Sequence, residues 1–412
     1  MLKRTLLACA CLIAACTASF AANTWVNYST SNVSAFSGNS ICGMGQDSSG
    51  VYWMDNGGGS ILSFDGTTWT TQKTYVNTSY SVYVDPANVK WFGTMDLLYK
   101  YDNSTWTLYN LSNLIPGLPS SPYVVAIVPQ KDTLWLGCTN GGLIKKVGDS
   151  YTWYHKTNTT MPSDSVSCLA IDKKGNKWVG YSGKYNASLV GHGISKFDGS
   201  TWTNYNKAGG YLPSDAIYGV ATDASGNVWI ATYAGLVKYD GTTWTTYTTS
   251  NSGLADNNVL TIAVDKNNCV WVGTSDKGVC KFDGTTWTNY TKSNTSGGLA
   301  NVGVGVFIYV DKQNKKWFSA ASISVLTEGN GSGINEVKAE SLSIYPNPTA
   351  DELQLSTAKA GILTITNLSG AEVLQQTVAA NATVSVAMLP QGVYILHWTD
   401  GNSQKVAKLV KR

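Results

Sequence analysis

The sequence predicts an all-β fold in two parts: a seven-bladed β-propeller closed by the N-terminal strand, then a small immunoglobulin-like β-sandwich. Three observations predict it: two interleaved tryptophan series, an aspartate at a fixed distance before one series, and half-units at the two ends of the repeat that complete each other. Of the fifteen tryptophans only Trp398 lies outside the two series. One series follows a D-G-T-T-W-T type phrase: Trp25, Trp69, Trp106, Trp153, Trp202, Trp244 and Trp287. The other sits in a W-x-G-T type phrase: Trp53, Trp91, Trp135, Trp178, Trp229, Trp271 and Trp317. Self-similarity at a period of tens of residues marks a repeat architecture and comes before any count of domains.

Each tryptophan of the second series lies six residues after the end of an apolar run. In six cases that residue is aspartate, namely Asp47, Asp85, Asp172, Asp223, Asp265 and Asp311, with Pro129 in the seventh. A fixed spacing implies a fixed turn, in which Asp accepts backbone N–H groups and a following Gly or Asn takes the left-handed conformation. Asp65-Gly66, Asp198-Gly199, Asp240-Gly241 and Asp283-Gly284 precede the first series and are short-hairpin signals. The sixth unit then reads as strand A over 259–264, B over 269–274, C over 278–282 and D over 286–291. Four short antiparallel strands around a tryptophan pair describe a propeller blade. The indoles are large enough to fill the wedge between neighbouring sheets, each contributing on the order of a few kcal/mol.

The ends of the array decide closure. The last unit offers strand A over 302–310, a Trp317 strand and a strand over 323–326, but no D strand. The chain opens with an orphan one, Thr24-Trp25-Val26-Asn27-Tyr28. Joined, they complete the seventh blade; an open solenoid would need polar terminal caps instead.

Ahead of the ring, Lys3 and Arg4, an apolar run over 6–15 and small residues at 19–22 form the pattern of a signal peptide cleaved near Ala21 or Ala22. Ile13-Ala-Ala-Cys16 is also similar to a lipobox, in which Cys16 would be acylated. The apolar run is shorter than the roughly 20 residues of a membrane span, and no later segment reaches that length. Five cysteines remain beyond the leader: Cys42, Cys138, Cys168, Cys269 and Cys280. Their spacing fits neither CxxC nor zinc patterns and suits small buried strand residues. No arginine or glutamate occurs between Asn23 and Thr327. Bidentate reading of phosphate or guanine therefore has no side chain to make it, which disfavours nucleic acid as a partner. No metal or cofactor motif is present, so no cofactor is expected.

The phrases Gly253-Leu-Ala-Asp-Asn-Asn-Val-Leu-Thr-Ile-Ala-Val-Asp265 and Val270-Trp-Val-Gly-Thr274 resemble the two-component regulator propeller repeat, and the likeness covers residues 24–328. That family occurs in periplasmic sensor regions of hybrid histidine kinases and in stand-alone secreted proteins. A Gly-rich linker over 329–335 leads to a region, 336–412, with seven expected strands: 342–345, 352–356, 362–367, 373–378, 382–387, 393–399 and 405–410. Four phrases there resemble the type A sorting domain of the type IX secretion system of Bacteroidota. They are Ile344-Tyr345-Pro346-Asn347-Pro348, Leu368-Ser-Gly370, Leu389-Pro-Gln-Gly392-Val-Tyr394-Ile-Leu396 and the basic Lys405-Val-Ala-Lys-Leu-Val-Lys411. The resemblance implies export by the type IX machinery, removal of the domain by a sortase-like protease, and release or attachment to surface lipopolysaccharide. A carbohydrate-binding sandwich is the alternative for this region.

In a propeller the A–B and C–D turns share one face, and the B–C and D–A connections share the other. Long connections at 110–122, 207–215 and 291–301 and a B–C insertion at 181–193 place variability on the second face, where function usually sits. Of the ring's aspartates, Asp55, Asp96, Asp164, Asp215, Asp256 and Asp276 fall outside the repeated turns and map to that face. Asp164, Asp215 and Asp256 each precede a strand A. They could form an acidic rim for sugar hydroxyls or a cation, with Tyr123, Tyr181, Tyr185, Tyr211 and Tyr233 as stacking platforms. The alternative is that each Asp caps its own turn. Catalytic inventory is thin: His155 and His192 are far apart, and no nucleophile elbow or phosphate loop occurs. His192 would be the general base if the ring were a lyase, since streptogramin lyase is a propeller with related repeats. The sequence thus supports a secreted or surface propeller that binds a glycan or a peptide, with a propeller lyase and an adhesive surface-layer protein as the other classes.

Overall fold

The computed structural model describes residues 23–38, 41–55, 59–74, 80–182, 191–305, 307–329, 340–367, 372–400 and 404–412. The leader, including Cys16, and Tyr185 lie outside the described residues, as does all of the Gly-rich linker except Gly329. Residues 22–328 form one compact unit, and 329–412 belong to a second.

The first unit is seven four-stranded sheets. Six are consecutive meanders, over 43–74, 81–110, 123–154, 166–205, 217–247 and 259–290, and every neighbouring pair is antiparallel. The seventh combines Phe307–Val310, Lys316–Ser319 and Ile323–Thr327 with the leading strand Thr24–Tyr28, which pairs from Thr24↔Thr327 to Tyr28↔Ile323. The ring is therefore closed by both ends of the repeat region, as the orphan strand predicts. Strand A of this blade is shorter than the sequence suggests. Gly303 instead bridges Gly278, and Val304 N–H donates to Thr274 O at 2.9 Å, so this stretch belongs to the preceding blade's edge. Gly273 permits that approach, because a Cβ there would lie 2.0 Å from Val304 O.

The six-residue spacing has a physical cause beyond the turn itself. Each aspartate divides its two oxygens. In Asp223, Oδ1 accepts the amides of Ser225 and Asn227, both at 2.9 Å, while Oδ2 accepts the indole N–H of Trp229 at 2.8 Å. The indole bond recurs at 3.0 Å for Asp47–Trp53, 3.4 Å for Asp85–Trp91, 2.9 Å for Asp172–Trp178, 2.9 Å for Asp265–Trp271 and 3.0 Å for Asp311–Trp317. The tryptophan can thus be buried without stranding its donor. In the third blade the acceptor is Gln130 and not Pro129: its Oε1 takes the Trp135 N–H at 3.0 Å across a turn one residue shorter, Gln130↔Thr133. The longer amide arm replaces the missing residue, and proline, with no polar side chain, could not serve.

Burial is organised by junction and not by blade. Seven clusters of buried apolar side chains each straddle two neighbouring sheets, as in Trp229, Val259, Val270, Val272 and Phe282 between the fifth and sixth. Polar latches cross the same junctions. Lys90 Nζ lies 3.4 Å from Asp47 and 4.8 Å from the Trp53 ring of the preceding blade; Lys316, fully buried, lies 3.1 Å from Asp265 and 5.1 Å from the Trp271 ring. At the closing junction Tyr52 Oη donates to Asp311 at 2.7 Å. A buried ammonium here is paired and faces an aromatic ring, which offsets its desolvation.

The second unit packs a five-stranded sheet against a three-stranded one around Leu353, Leu355, Leu363, Ile365, Leu396, Trp398 and Leu409. The seven expected strands are present within a few residues of their boundaries, with a two-residue strand, Glu340–Ser341, added.

Asp223→Ala removes the acceptor of a buried indole and of two turn amides, and a loss of about 2–3 kcal/mol is expected in chemical denaturation of the exported protein. The effect of acid follows from the same carboxylates. Burial alone would raise Asp172, Asp223 and Asp265, but bonds from the indoles and turn amides, and for Asp265 from Lys316, outweigh it and hold all three below the ordinary value. As pH falls below about 4 the unfolded chain takes up these protons first, so stability is flat near neutrality and declines from there downward. Unfolding curves collected between neutral and acid pH test the direction.

Candidate functional site

The inner edges of strand A from all seven blades surround a channel of about 400 Å³. Its wall carries aliphatic, aromatic and hydroxyl side chains and, among the described lining residues, no charged one. In four blades strand A carries a β-bulge near its start, between Val124/Ala126, Val166/Cys168, Ile217/Gly219 and Val259/Thr261. Three of the extra residues, Val125, Ser167 and Tyr218, line the channel, as do Cys42 and Tyr80 at the corresponding positions of the first two blades. Bulges re-aim side chains at the end of a strand.

Among the described residues, hydrogen bonds link the loops around this mouth. B–C turns hydrogen-bond the D–A connections beside them: Asp96 N to Pro122 O at 2.6 Å, Gly142 N to Asp164 O at 2.9 Å, Gly193 N to Asp215 O at 2.9 Å and Ser275 N to Asn258 O at 3.2 Å. Six of the D–A connections also bury apolar side chains in a junction, including Phe36, Leu118, Met161, Leu212, Leu254 and Leu299. An asparagine recurs within four of them: Asn32, Asn158, Asn251 and Asn294 each accept the amide three residues earlier and donate to the carbonyl five residues earlier. On the opposite face the A–B turns are tied to one another, with Asn88, Asn268 and Asn314 accepting the amides of Ser48, Ala224 and Lys266.

The predicted rim aspartates are occupied. Asp164 Oδ1 accepts Lys156 N–H and Asp215 Oδ1 accepts Lys207 N–H, both at 2.7 Å, closing the connection eight residues back. In the next blade that place belongs to Asn257, which accepts Thr249 N–H at 2.8 Å. Asp256 stands one position earlier, bonded to Asn258 N at 3.0 Å and Ser275 Oγ at 3.1 Å. The three are therefore not equivalent, and the turn-capping alternative describes Asp164 and Asp215. Asp96 likewise accepts Ser112 N–H at 3.1 Å, Asp55 is fully buried and Asp276 is exposed.

The tyrosines divide. Tyr123 meets Tyr80 edge-on at 5.3 Å beside the channel. Tyr233, 49% exposed, sits in a B–C turn whose amide bonds Ala216 O at 3.2 Å, next to Tyr218. Tyr211 lies farther out, against Tyr205 and the D-strand Trp244. The expectation for Tyr181 is corrected: it is fully buried, its hydroxyl bonded to Ser195 at 2.9 Å, so its ring cannot stack on a ligand. Strand B lies between two sheets here, and the conspicuous insertion begins only after it. The sequence reading missed Tyr80, Ser167 and Tyr218, whose signal was their position five residues before each turn aspartate. His192 is exposed in its loop, and His155 stacks on Trp153 at 3.9 Å; neither lines the channel. Among the described residues no cluster of metal-ligating side chains occurs.

In the second unit Tyr345, Pro346, Asn347 and Pro348 are exposed, Tyr394 is buried with its hydroxyl on Pro390 O at 2.8 Å, and Gly392 starts the strand Gly392–Thr399. Gly370 lies outside the described residues.

Comparison with known proteins agrees with both parts. Residues 343–412 match the family model of the secretion system C-terminal sorting domain, and residues 211–234 and 253–276 match the two component regulator propeller. No curated protein matches the sequence. Similar solved structures include the extracellular domain of a protein named as a hybrid two component system of B. thetaiotaomicron, at 16% identity and a TM-score of 0.65, covering 95% of this chain and 58% of that one. PorZ, a surface component of the type IX secretion system of Porphyromonas gingivalis, aligns at 18% identity and 0.58, covering 92% of this chain and 60% of that one. Virginiamycin B lyase from Staphylococcus aureus aligns at 12% and 0.57, covering 74% of this chain and 99% of that one. The chain thus spans well under two thirds of the first two, and at these identities the likeness concerns the fold. The class supported is a β-propeller followed by a sorting domain that indicates export to the cell surface or outside. More particularly, the chain carries two-component regulator propeller repeats followed by a type IX sorting domain, which takes it to the cell surface or outside; no described helix is long and apolar enough to cross a membrane.

If Asp215 acts as a loop cap, Asn should replace it at little cost, since Asn257 does the same work, whereas Ala should lower stability by about 1 kcal/mol. Thermal unfolding of Asp215→Asn and Asp215→Ala separates this from a role for the charge.

Proposed function

We propose that the ring is an extracellular binding scaffold whose ligand, a glycan or a peptide, seats over the loop-rich mouth of the channel. The observation that carries this reading is the mouth itself. Tyr80 and Tyr123 lie on one side, Tyr218 and the exposed Tyr233 come from the fifth blade, and an uncharged hydroxyl-bearing wall lies between. Aromatic faces beside hydroxyls suit sugar rings or apolar and aromatic peptide side chains; the uncharged wall disfavours ionic groups, which would lose water without gaining a partner. Asp256, with Ser275 beside it, remains a candidate polar contact at the sixth blade. Neither histidine adjoins this wall, so binding is preferred over lyase chemistry.

The proposal includes the route. A leader over 1–22 directs passage of the inner membrane, the sorting domain engages the type IX machinery, and a sortase-like step leaves the ring at the surface, free or on lipopolysaccharide. Mass spectrometry of both termini from cell fractions reads these steps. For the ligand, the exported protein is screened on glycan and peptide arrays. Tyr233→Ala and Tyr123→Ala should each weaken the hit about tenfold with unchanged thermal stability. Full retention of binding in both variants rejects the mouth as the site, and product formation from the bound ligand rejects simple binding.

A further inference from the structure

We propose that Asn347 is the positioning residue of the sorting domain: its side-chain amide clamps the basic strand Gln404–Lys411 in the register that the export machinery reads. The inference rests on the export reading above.

The outer edge of Gln404–Lys411 is covered in stages. Glu340 and Ser341 pair with Lys405 and Val406, and Leu342 N–H donates to Val406 O at 2.8 Å. The main chain then leaves this edge, because Ser343–Tyr345 crosses to the other sheet and pairs with Glu352–Ser356. Farther on, Thr349 N–H donates to Val410 O at 3.0 Å, and Arg412 N–H donates to Thr349 O at 2.8 Å. Between these stretches the edge groups of Lys408 and Val410 would face solvent with no strand beside them. Asn347 fills that interval: Nδ2 donates to Lys408 O at 2.7 Å, and Oδ1 accepts Val410 N–H at 2.9 Å.

A carboxamide is a peptide unit in miniature, so one side chain supplies the donor and acceptor that a missing strand would have offered. The flanking residues, Pro346 and Pro348, have no N–H of their own and restrict the backbone on which the amide is carried. The clamp matters because side chains in a strand alternate: Lys408 is exposed while Leu409 is buried in the core. A slip by one residue would turn the lysine inward and leucine outward. The amide grips the carbonyl of the exposed lysine and the amide of the residue after the buried leucine, which fixes that alternation from the edge.

The experiment uses full-length protein in a producing bacterium, with Asn347→Ala, Asn347→Asp and Val384→Ala, the last a buried position in the other sheet that serves as a stability control. Aspartate keeps the acceptor but sets a negative oxygen against Lys408 O. Hydrogen exchange at residues 408–412 should quicken about tenfold in both Asn347 variants, with amides of Gly361–Asn367 unchanged, as expected for loss of one or two local bonds. The exported fraction should fall several-fold in both, while Val384→Ala, at equal or greater loss of stability, exports close to the parent level. Unchanged exchange, faster exchange with parent-level export, or an equal export loss in Val384→Ala overturns the assignment. Deletion of residues 343–412 without effect on export removes the underlying reading as well, and is distinguishable because it needs no Asn347 variant.

Discussion

The ring depends on a single recurrent bond, the one between a turn carboxylate and the indole N–H six residues later. A tryptophan is the side chain that best fills the wedge between splayed sheets, but its N–H must find an acceptor once water is excluded. The aspartate that shapes the A–B turn provides it with its second oxygen, so turn geometry, blade register and wedge filling are set together. Where the aspartate is missing, Gln130 preserves the bond at the cost of a shortened turn.

From that constraint the division of the two faces follows. One oxygen of each aspartate is spent on turn amides, and Asn88, Asn268 and Asn314 each accept an amide of the preceding blade's turn, so hydrogen bonds tie neighbouring turns together on this face. Variation is left to the other face. There the D–A connections differ in length, but the described ones still bury apolar side chains in a junction and satisfy backbone amides within themselves. Asp164, Asp215 and Asn257 belong to that second requirement, which accounts for two of the conspicuous acids on the loop face as caps of their own connections. Among the described residues, the channel wall on this face carries aromatic and hydroxyl groups.

The fold was highly legible because each repeat states the same local rule and seven restatements average out local noise. Blade number, the orphan strand and the sandwich strands could all be read from turn residues and alternation. The site was only partly legible. Asp256 looked equivalent to Asp215 because both precede a strand A, but the amide acceptor had shifted to Asn257, a one-residue slip that spacing from the strand start does not reveal. Tyr181 looked exposed because it borders a long insertion, although strand B is sandwiched between neighbouring sheets. Tyr80 and Tyr218 were overlooked because a tyrosine opening a strand reads as packing, whereas both line the channel, Tyr218 through a bulge.

By itself the sequence determined the repeat, its closure and its export signal, since these are written in local phrases whose physics is short-range: turns, alternation and indole spacing. Only the tertiary structure decided which side chains meet across blades, which carboxylates are already spent and which ring faces remain open. Those outcomes depend on residues distant in sequence, brought together by sheet packing, and no local pattern encodes the angle at which one blade meets the next.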